Sequence, residues 1–242
     1  MQLSKNNLIG ISGKIGSGKD LAGQILQYYL SVDRPTFKEF IYRHIENDHA
    51  IVNPKFRIKK FADTIKDTVC LWLGCTREQL EDREFKEKEL GEEWRVKQTS
   101  YVLTPRKILQ LLGTDAGRKI IHPNIWVNTM FANYSKFDTH TDQVVGGFIP
   151  KSKWIITDVR FQNEVEAIKK RGGVVIRIER DWSLRTPYKD LKDLSANGTT
   201  ECIAKYLHAS ETALDSYSDF DIVINNNKSI EELYEQIRRN CE

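Results

Sequence analysis

The sequence predicts an α/β fold, in which a parallel sheet of about five strands carries helices on both faces. Short apolar runs alternate along the chain with segments whose apolar residues recur at helical spacing. The run at 174–178 is rich in Val and Ile, as is typical of a parallel strand buried on both sides. Alternation of strands and helices in this way favours a layered fold with right-handed crossovers.

Length and composition limit the class of protein. The 242 residues suffice for one large α/β domain, or for a core domain with inserted segments. Lys and Arg number 37 and Asp and Glu 34, a net charge of +3, so we expect neither nucleic acid nor a membrane as partner. No apolar run approaches the roughly 20 residues that span a membrane. The first seven residues are polar and lack a signal-peptide pattern, and the four scattered cysteines are expected as reduced thiols of a cytoplasmic protein.

A glycine-rich loop joins the first predicted strand, at 8–11, to the first predicted helix, at 19–30. Gly13 is followed by four residues and then by Gly18 and Lys19, which is the spacing of a phosphate-binding loop. Glycine lets backbone N–H groups converge on phosphate oxygens, the helix start adds its positive dipole end, and the lysine adds a mobile charge. The expected nucleotide-binding residues are Gly13, Lys14, Gly16, Ser17, Gly18, Lys19 and Asp20. A glycine-rich turn with a surface lysine is the less favoured alternative.

The residue after the lysine differs from the usual pattern. That position is normally Ser or Thr, whose hydroxyl reaches Mg²⁺, and here it is Asp20. A carboxylate can hold Mg²⁺ directly or through water. Asp20 could instead cap the first turn of the helix, and both interpretations stay open.

An acid and an arginine follow a later apolar run. The run beginning at Trp154 ends in Asp158, and Arg160 lies two residues further on. An acid at the carboxyl end of a parallel strand beside a phosphate loop lies near the nucleotide and orients Mg²⁺ or its waters. The guanidinium fork of Arg160 suits the oxygens of a transferring phosphoryl group. The alternative is a helix-capping Asp followed by a surface Arg.

Candidates for a second, acceptor-binding site begin with Lys66. A strand is predicted over Arg57–Phe61 and a helix from Ala62 through Leu73, with Asp63 as its N-cap. Lys66 falls one turn into this helix, where an acceptor phosphate could be met; the alternative is a solvated lysine.

Further candidates lie in the charged segment at 76–97. Ion pairs on a solvated helix face explain most of its charges, but a lid over an acceptor would have the same composition, with Arg83 and Lys86 as its candidates. A helix then opens at Thr104 and Pro105. It is predicted to end at residues 113–118, a loop that could approach a ligand closely.

Together these segments resemble the deoxynucleoside monophosphate kinases of tailed bacteriophages. The resemblance spans residue 8 to the C-terminal helix, and its most discriminating feature is the Gly-Lys-Asp ending of the loop. Animal phosphomevalonate kinase resembles the pattern too, in its Gly-Lys-Asp loop, its Asp-x-Arg and its late Ser-Glu, but it lacks the Leu-Gly-Thr-Asp segment followed by Trp. The segments that carry the resemblance are Ser12-Gly13 to Gly18-Lys19-Asp20, Ile65-Lys66-Asp67, Leu112-Gly113-Thr114-Asp115 with Trp126-Val127, Asp158-Val159-Arg160 with Glu164, and Val223-Ile224-Asn225 with Ser229 to Leu233.

The resemblance implies a P-loop NTPase three-layer sandwich, with one kinase domain over residues 1–242 and an inserted acceptor and lid region around 76–135. It implies ATP-dependent phosphorylation of deoxynucleoside monophosphates for phage DNA synthesis, in the host cytoplasm, with ATP and Mg²⁺, and a homodimer. Family members carry a basic residue at loop position 15 or 16, which this chain lacks, and Lys14 is the nearest substitute.

The resemblance and the patterns above yield three sets of expected site residues. The catalytic set is Lys19, Arg106, Asp158 and Arg160. The metal-binding set is Asp20 and Asp158. The substrate-binding set is Lys66, Arg83, Arg106, Gly113, Thr114, Trp126, Asp158, Arg160 and Glu164.

Two other functions stay open at this point. One is a kinase of another small phosphorylated acceptor, such as phosphomevalonate. The other is a P-loop ATPase that acts as a switch and has no small acceptor. The near-neutral charge and the absence of a nucleic-acid-binding motif argue against the switch.

Overall fold

The computed structural model describes residues 2–46, 51, 53–95, 102–132, 134, 153–181, 184 and 209–242. The chain divides into two compact units. The first comprises Met1–Lys60 and Tyr134–Glu242, and the second comprises Phe61–Asn133. The second unit therefore begins before the insertion expected from residue 76 and includes the helix that carries Lys66.

The first unit contains a five-stranded parallel sheet. Its strands are β1 Leu8–Gly13, β2 Arg57–Lys59, β3 Trp154–Val159, β4 Val174–Glu179 and β5 Ile222–Asn225, in the order β2-β3-β1-β4-β5. The α/β fold with a parallel sheet is confirmed. The second strand, β2, ends at Lys59 rather than at Phe61 as predicted. Because β1 is the central strand, the glycine-rich loop that follows β1 begins at the middle of the sheet's carboxyl edge.

Ten α-helices are present among the described residues, and none of the described helices is both long and apolar enough to cross a bilayer. They are α1 Lys19–Ser31, α2 Phe37–Ile41, α3 Asp63–Leu73, α4 Arg77–Glu81, α5 Arg83–Glu87, α6 Pro105–Gln110, α7 Ile125–Ala132, α8 Gln162–Lys170, α9 Ala209–Thr212 and α10 Ile230–Cys241. Two π-helices, Tyr42–Glu46 and Leu111–Ile121, and two 3₁₀ turns, Leu3–Lys5 and Glu92–Trp94, complete the described elements. The segment at 34–56, which the sequence did not assign, contains α2.

Helices cover both faces of the sheet. On one face α1 contacts β1, β2 and β3 and packs against α10, while α8 contacts β1 and β4. Ile9 and Ile11 of β1 join the core formed with α1 and α10. A Cβ on the intervening Gly10 would meet Ile168 of α8, which places α8 on the opposite face. Side chains of the inner strands β1 and β3 alternate between the two faces and are buried on both, which gives the three layers, whereas the edge strands β2 and β5 are only partly buried.

The second unit is helical among its described residues. Helices α3 to α6 pack around Val69, Leu80 and Ile108. Helix α6 begins as predicted, with the Thr104 hydroxyl accepting the Lys107 N–H at 3.2 Å and Pro105 in the first turn. The prediction that Asp63 caps α3 was wrong.

Asp63 is the first residue of α3, and Ala62 precedes it with no side-chain cap. The Asp63 carboxylate binds Arg77 at 3.1 Å instead. An ion pair with a neighbouring helix has replaced the local hydrogen bond that the sequence pattern favoured.

Candidate active site

The loop between β1 and α1 has a backbone that only glycine adopts readily. Gly16 and Gly18 have φ values of +74° and +87°. The N–H of Ser17 donates to the Lys14 carbonyl at 3.1 Å, and the Ser17 carbonyl accepts a hydrogen bond from the side-chain amide of Asn226 at 2.9 Å. A Cβ on Gly18 would collide with that amide. The loop is thus wound tightly at the start of α1, where the first N–H groups of a helix lack intrahelical acceptors.

Lys19 is buried at the start of α1, with only 8% of its surface exposed. Burial lowers the pKa of its ammonium group and the charge of Arg160 lowers it further, whereas Asp20, Glu211 and Asp158 act to raise it. A desolvated ammonium group is stabilised by any anion that comes close to it. The site around Lys19 is therefore electrostatically suited to a phosphate.

Asp20 lies in the first turn of α1 and faces two neighbouring strands. Lys60, directly after β2, places its Nζ 2.7 Å from Asp20 Oδ1, and Thr157 of β3 donates its hydroxyl to the same oxygen at 3.2 Å. Burial acts to raise the pKa of Asp20, but the bond from Lys60 and the charges of Lys60 and Lys19 outweigh it, so that the pKa is lowered. Asp20 is therefore a carboxylate at neutral pH.

Asp158 and Arg160 stand where β3 ends. Asp158 is 8% exposed and lies within electrostatic reach of Lys19. The Arg160 guanidinium forms an ion pair with Glu211 and donates to the Ser210 hydroxyl at 3.3 Å. Lysine, carboxylate and guanidinium thus converge on the carboxyl edge of the sheet, as expected for an open α/β sheet.

A family model described as "Deoxynucleotide monophosphate kinase" matches residues 57–192. A "Putative deoxynucleotide monophosphate kinase" of Acanthamoeba polyphaga mimivirus is 30% identical over 233 residues, which cover 95% of this chain and 93% of that protein. The chain belongs to the deoxynucleotide monophosphate kinase family.

Two further proteins are similar to this family member. "Deoxynucleoside-5'-monophosphate kinase" of Escherichia phage T5 is 23% identical over 256 residues, covering 89% of this chain and 96% of that one. The crystal structure of TT1252 from Thermus thermophilus has a TM-score of 0.45 and 15% identity, over 96% of this chain and 94% of that one. The resemblance inferred from the sequence motifs is confirmed by the family match.

The basic candidates of the second unit are engaged with carboxylates. Lys66 forms an ion pair with Glu81, which also binds Lys86 at 3.2 Å and lies 3.8 Å from Arg77. Burial acts to raise the pKa of Glu81, but Lys66 and Lys86 outweigh it and hold the pKa low. Several cations therefore surround a single ionised carboxylate on helices α3 to α5.

Arg106 and Arg83 occupy different surroundings. Arg106, near the start of α6, forms an ion pair with Glu87 of α5 and is half-buried. Arg83 is exposed at the first position of α5. Arg106 thus lies on the same group of helices as the cations around Glu81, and Arg83 lies at its surface.

Gly113 and Thr114 do not lie in a loop. They belong to the π-helix Leu111–Ile121, so the prediction of a loop at 113–118 was wrong. Trp126 is 5% exposed, its indole N–H donates to the Gly113 carbonyl at 2.8 Å, and a Cβ on Gly117 would lie 2.7 Å from its ring. Gly117 allows the helix to pack closely on the buried indole, whereas Gly113 contributes only its carbonyl, and a role of Gly113, Thr114 and Trp126 in substrate binding stays a prediction.

Glu164, which was expected to bind substrate, makes local hydrogen bonds at the start of α8. Its side chain is 1% exposed, and its Oε2 accepts the N–H groups of Arg160 at 2.7 Å and of Phe161 at 3.1 Å. Both N–H groups directly precede the first residue of α8 and have no acceptor within the helix, so the carboxylate acts as their acceptor. The buried carboxylate therefore caps α8 in this structure, and its expected role in substrate binding stays a prediction.

Four residues of this edge were missed by the sequence analysis: Lys60, Asn226, Thr157 and Glu211. Lys60 and Asn226 directly follow β2 and β5, so the rule that pointed to Asp158 at the carboxyl end of β3 would have found them. Thr157 adjoins Asp158 but points to the α1 side of the sheet. Glu211 follows no strand, so that rule would not have found it.

Proposed function

We propose that this kinase transfers the γ-phosphoryl group of ATP to the 5′-phosphate of a deoxynucleoside monophosphate, giving a deoxynucleoside diphosphate and ADP. One observation carries the proposal: in a member of this family, the phosphate loop with its buried Lys19 lies beside Asp158 and Arg160. We also propose that the reaction takes place in the cytoplasm, which is that of the host cell if a phage encodes the protein. Its product supplies deoxynucleotides for DNA synthesis.

The loop and Lys19 bind the donor phosphates. Backbone N–H groups at the start of α1 donate hydrogen bonds to the phosphate oxygens, and the helix dipole stabilises their negative charge. Lys19 neutralises the bridging region between the β- and γ-phosphates. The acceptor phosphate is already ionised, so positioning and charge neutralisation dominate and no strong general base is needed.

Arg160 is the proposed transition-state residue. Its guanidinium stands beside Lys19 at the end of β3, and planar guanidinium groups bind phosphoryl oxygens in pairs. Negative charge spreads over these oxygens as the group moves, so a fixed cation stabilises the transition state more than the ground state. Its present partner Glu211 must then release it.

Mg²⁺ fits the donor atoms available at this site. Asp20 and Asp158 supply carboxylate oxygens, the ligands that Mg²⁺ prefers, and Mg²⁺ is commonly held by one or two carboxylates together with substrate phosphates and water. The described residues contain no group of three or more metal-binding side chains, which agrees with a metal held partly by the nucleotide. When bound, the ion neutralises charge on the phosphates during transfer.

The acceptor is proposed to bind through the second unit. Lys66 and Arg106 are half-buried cations whose partners, Glu81 and Glu87, a phosphate could replace. Family membership supports a nucleotide acceptor over phosphomevalonate, and it supports a kinase over a switch ATPase.

A coupled assay tests the function. We expect ADP formation from ATP and Mg²⁺ to require one or more of dAMP, dCMP, dGMP, dTMP and 5-hydroxymethyl-dCMP. Lys19→Ala should remove turnover because the donor phosphates lose their buried cation. Turnover with mevalonate phosphate alone, ATP hydrolysis indifferent to all five monophosphates, or normal transfer by Lys19→Ala would each contradict the proposal.

A further inference from the structure

The Glu211 carboxylate contacts both the phosphate loop and Arg160. Its Oε2 accepts the backbone N–H of Ile15 at 2.8 Å, and its Oε1 forms an ion pair with Arg160. The side chain is only 8% exposed. One carboxylate therefore satisfies both a loop N–H and the guanidinium to which the proposed function assigns the moving phosphoryl group.

The neighbouring residues add contacts of the same kind. We call residues 209–217, which contain α9 and the turns after it, the strap. Within the strap, the Ser210 hydroxyl accepts a hydrogen bond from Arg160 at 3.3 Å, and Asp215 forms an ion pair with Lys14 of the loop. The strap thus contacts two residues of the loop and also contacts Arg160. In the chain, Glu211 lies 196 residues from Ile15.

A carboxylate and a phosphate compete for these groups. Both present charged oxygens to N–H and guanidinium donors, and both are favoured at a helix N-terminus beside a buried ammonium. They cannot occupy the same donors together, because like charges at this distance repel strongly with little solvent between them. Nucleotide binding and the Glu211 contact must therefore exclude each other.

We propose that Glu211 is an internal substitute for a nucleotide phosphate, which occupies the loop in the nucleotide-free enzyme and must be displaced before ATP or ADP binds. The proposal rests on the proposed function for the identity of the ligand. It adds to that function that the strap controls how tightly the nucleotide binds. The apparent dissociation constant for the nucleotide equals the intrinsic constant divided by the fraction of molecules in which the carboxylate has left the loop.

Two substitutions at Glu211 test the proposal. Glu211→Gln keeps the size of the side chain and removes its charge, whereas Glu211→Asp keeps the charge and shortens the reach to the Ile15 N–H. If about one molecule in ten has the loop clear, both variants should bind ADP about tenfold more tightly than the unaltered chain, by isothermal titration at constant salt. Asp219→Asn is the matched control, because it removes a nearby charge that is bonded to Lys169 and does not contact the loop.

The outcomes separate displacement from a general charge effect. An ADP affinity of Glu211→Asp equal to that of the unaltered chain would mean that only net charge matters, and would overturn the proposal. So would an unchanged or weaker affinity in both variants, or an equal gain in Asp219→Asn. Circular dichroism and Tm establish folding of each variant, and should Glu211→Gln fail to fold, Glu211→Asp decides alone.

Failure of the strap proposal is distinct from failure of the proposed function. ADP titration measures the donor site only, whereas the coupled assay requires an acceptor. Tighter ADP binding without turnover on any monophosphate would remove the assigned reaction and leave the strap in place. Turnover on a monophosphate, together with an ADP affinity in both Glu211 variants equal to that of the unaltered chain, would remove the strap proposal and leave the assigned reaction in place.

Discussion

At the scale of single residues, the position of Arg160 in the fold could be predicted from the sequence, but its ion-pair partner could not. Its place after Asp158 at the end of β3 follows from the apolar run, and the structure has it at the sheet edge beside Lys19. Its partner Glu211 lies 51 residues away in the chain. The position was therefore predictable, and the ion pair was not.

We expect Arg160→Ala to lower kcat by about 10²-fold or more, because a cation that stabilises the moving phosphoryl group would be lost. KM for ATP should change far less, since Lys19 and the loop remain. Steady-state kinetics measure both constants. Arg239→Ala, which removes an exposed arginine from the last turn of α10, is the control and should behave like the unaltered chain. An unaltered kcat in Arg160→Ala would make Arg160 a structural partner of Glu211 only.

At the scale of elements, the start of α8 depends on one buried carboxylate. Glu164 accepts two backbone N–H groups, at Arg160 and Phe161, and so fixes the turn that joins β3 to α8. A Glu at the third helical position is a capping pattern, and the contacts of Glu164 fit that pattern.

Glu164→Ala should lower the free energy of unfolding by about 1–3 kcal/mol, because two buried donors lose their acceptor. Glu166→Ala is the matched control: it lies on the same helix, is exposed and bonds only Gln162 in the described structure, so its effect should stay within about 0.5 kcal/mol. Urea unfolding measures both. Equal stability of the two variants, with a raised KM for the monophosphate in Glu164→Ala alone, would support the substrate-binding role.

The π-helix Leu111–Ile121 shows where element prediction failed. Gly113 and Gly117 indicated a loop, since glycine disfavours helix interiors. In the structure, Gly117 leaves room for the Trp126 ring, and Gly113 offers its carbonyl to the indole N–H. Packing against a residue from the next helix has outweighed the local preference.

At the scale of the whole molecule, the C-terminal helix closes the core of the first unit. Leu233, Ile237 and Cys241 of α10 pack into the cluster that contains α1 and the sheet. The three described cysteines are free thiols, as expected, and burial raises the pKa of Cys241 to about 12, with a smaller effect from Glu242. The expected homodimer stays a prediction.

Cys241 should therefore resist iodoacetamide at pH 8, because its thiol is both protonated and 4% exposed. Labelling requires α10 to leave the core. ADP binds the folded chain, so at about 100 times its Kd it should slow labelling roughly hundredfold if only global unfolding exposes the thiol. Peptide mass spectrometry follows the rate, with the half-buried Cys75 as internal comparison. A rate unaffected by ADP would indicate local detachment of α10.

The sequence by itself determined the α/β class, the parallel strands, the phosphate loop and the positions of Lys19, Asp158 and Arg160. These features depend on short stretches of chain, in which apolar runs, glycine spacing and strand ends carry the signal. Tertiary structure alone decided the contacts that join distant segments: Lys60 on Asp20, Asn226 on the loop, and Glu211 on Ile15 and Arg160. Side chains from remote parts of the chain meet only when the crossovers of a parallel sheet bring its carboxyl ends together, and no local pattern specifies which charges then pair.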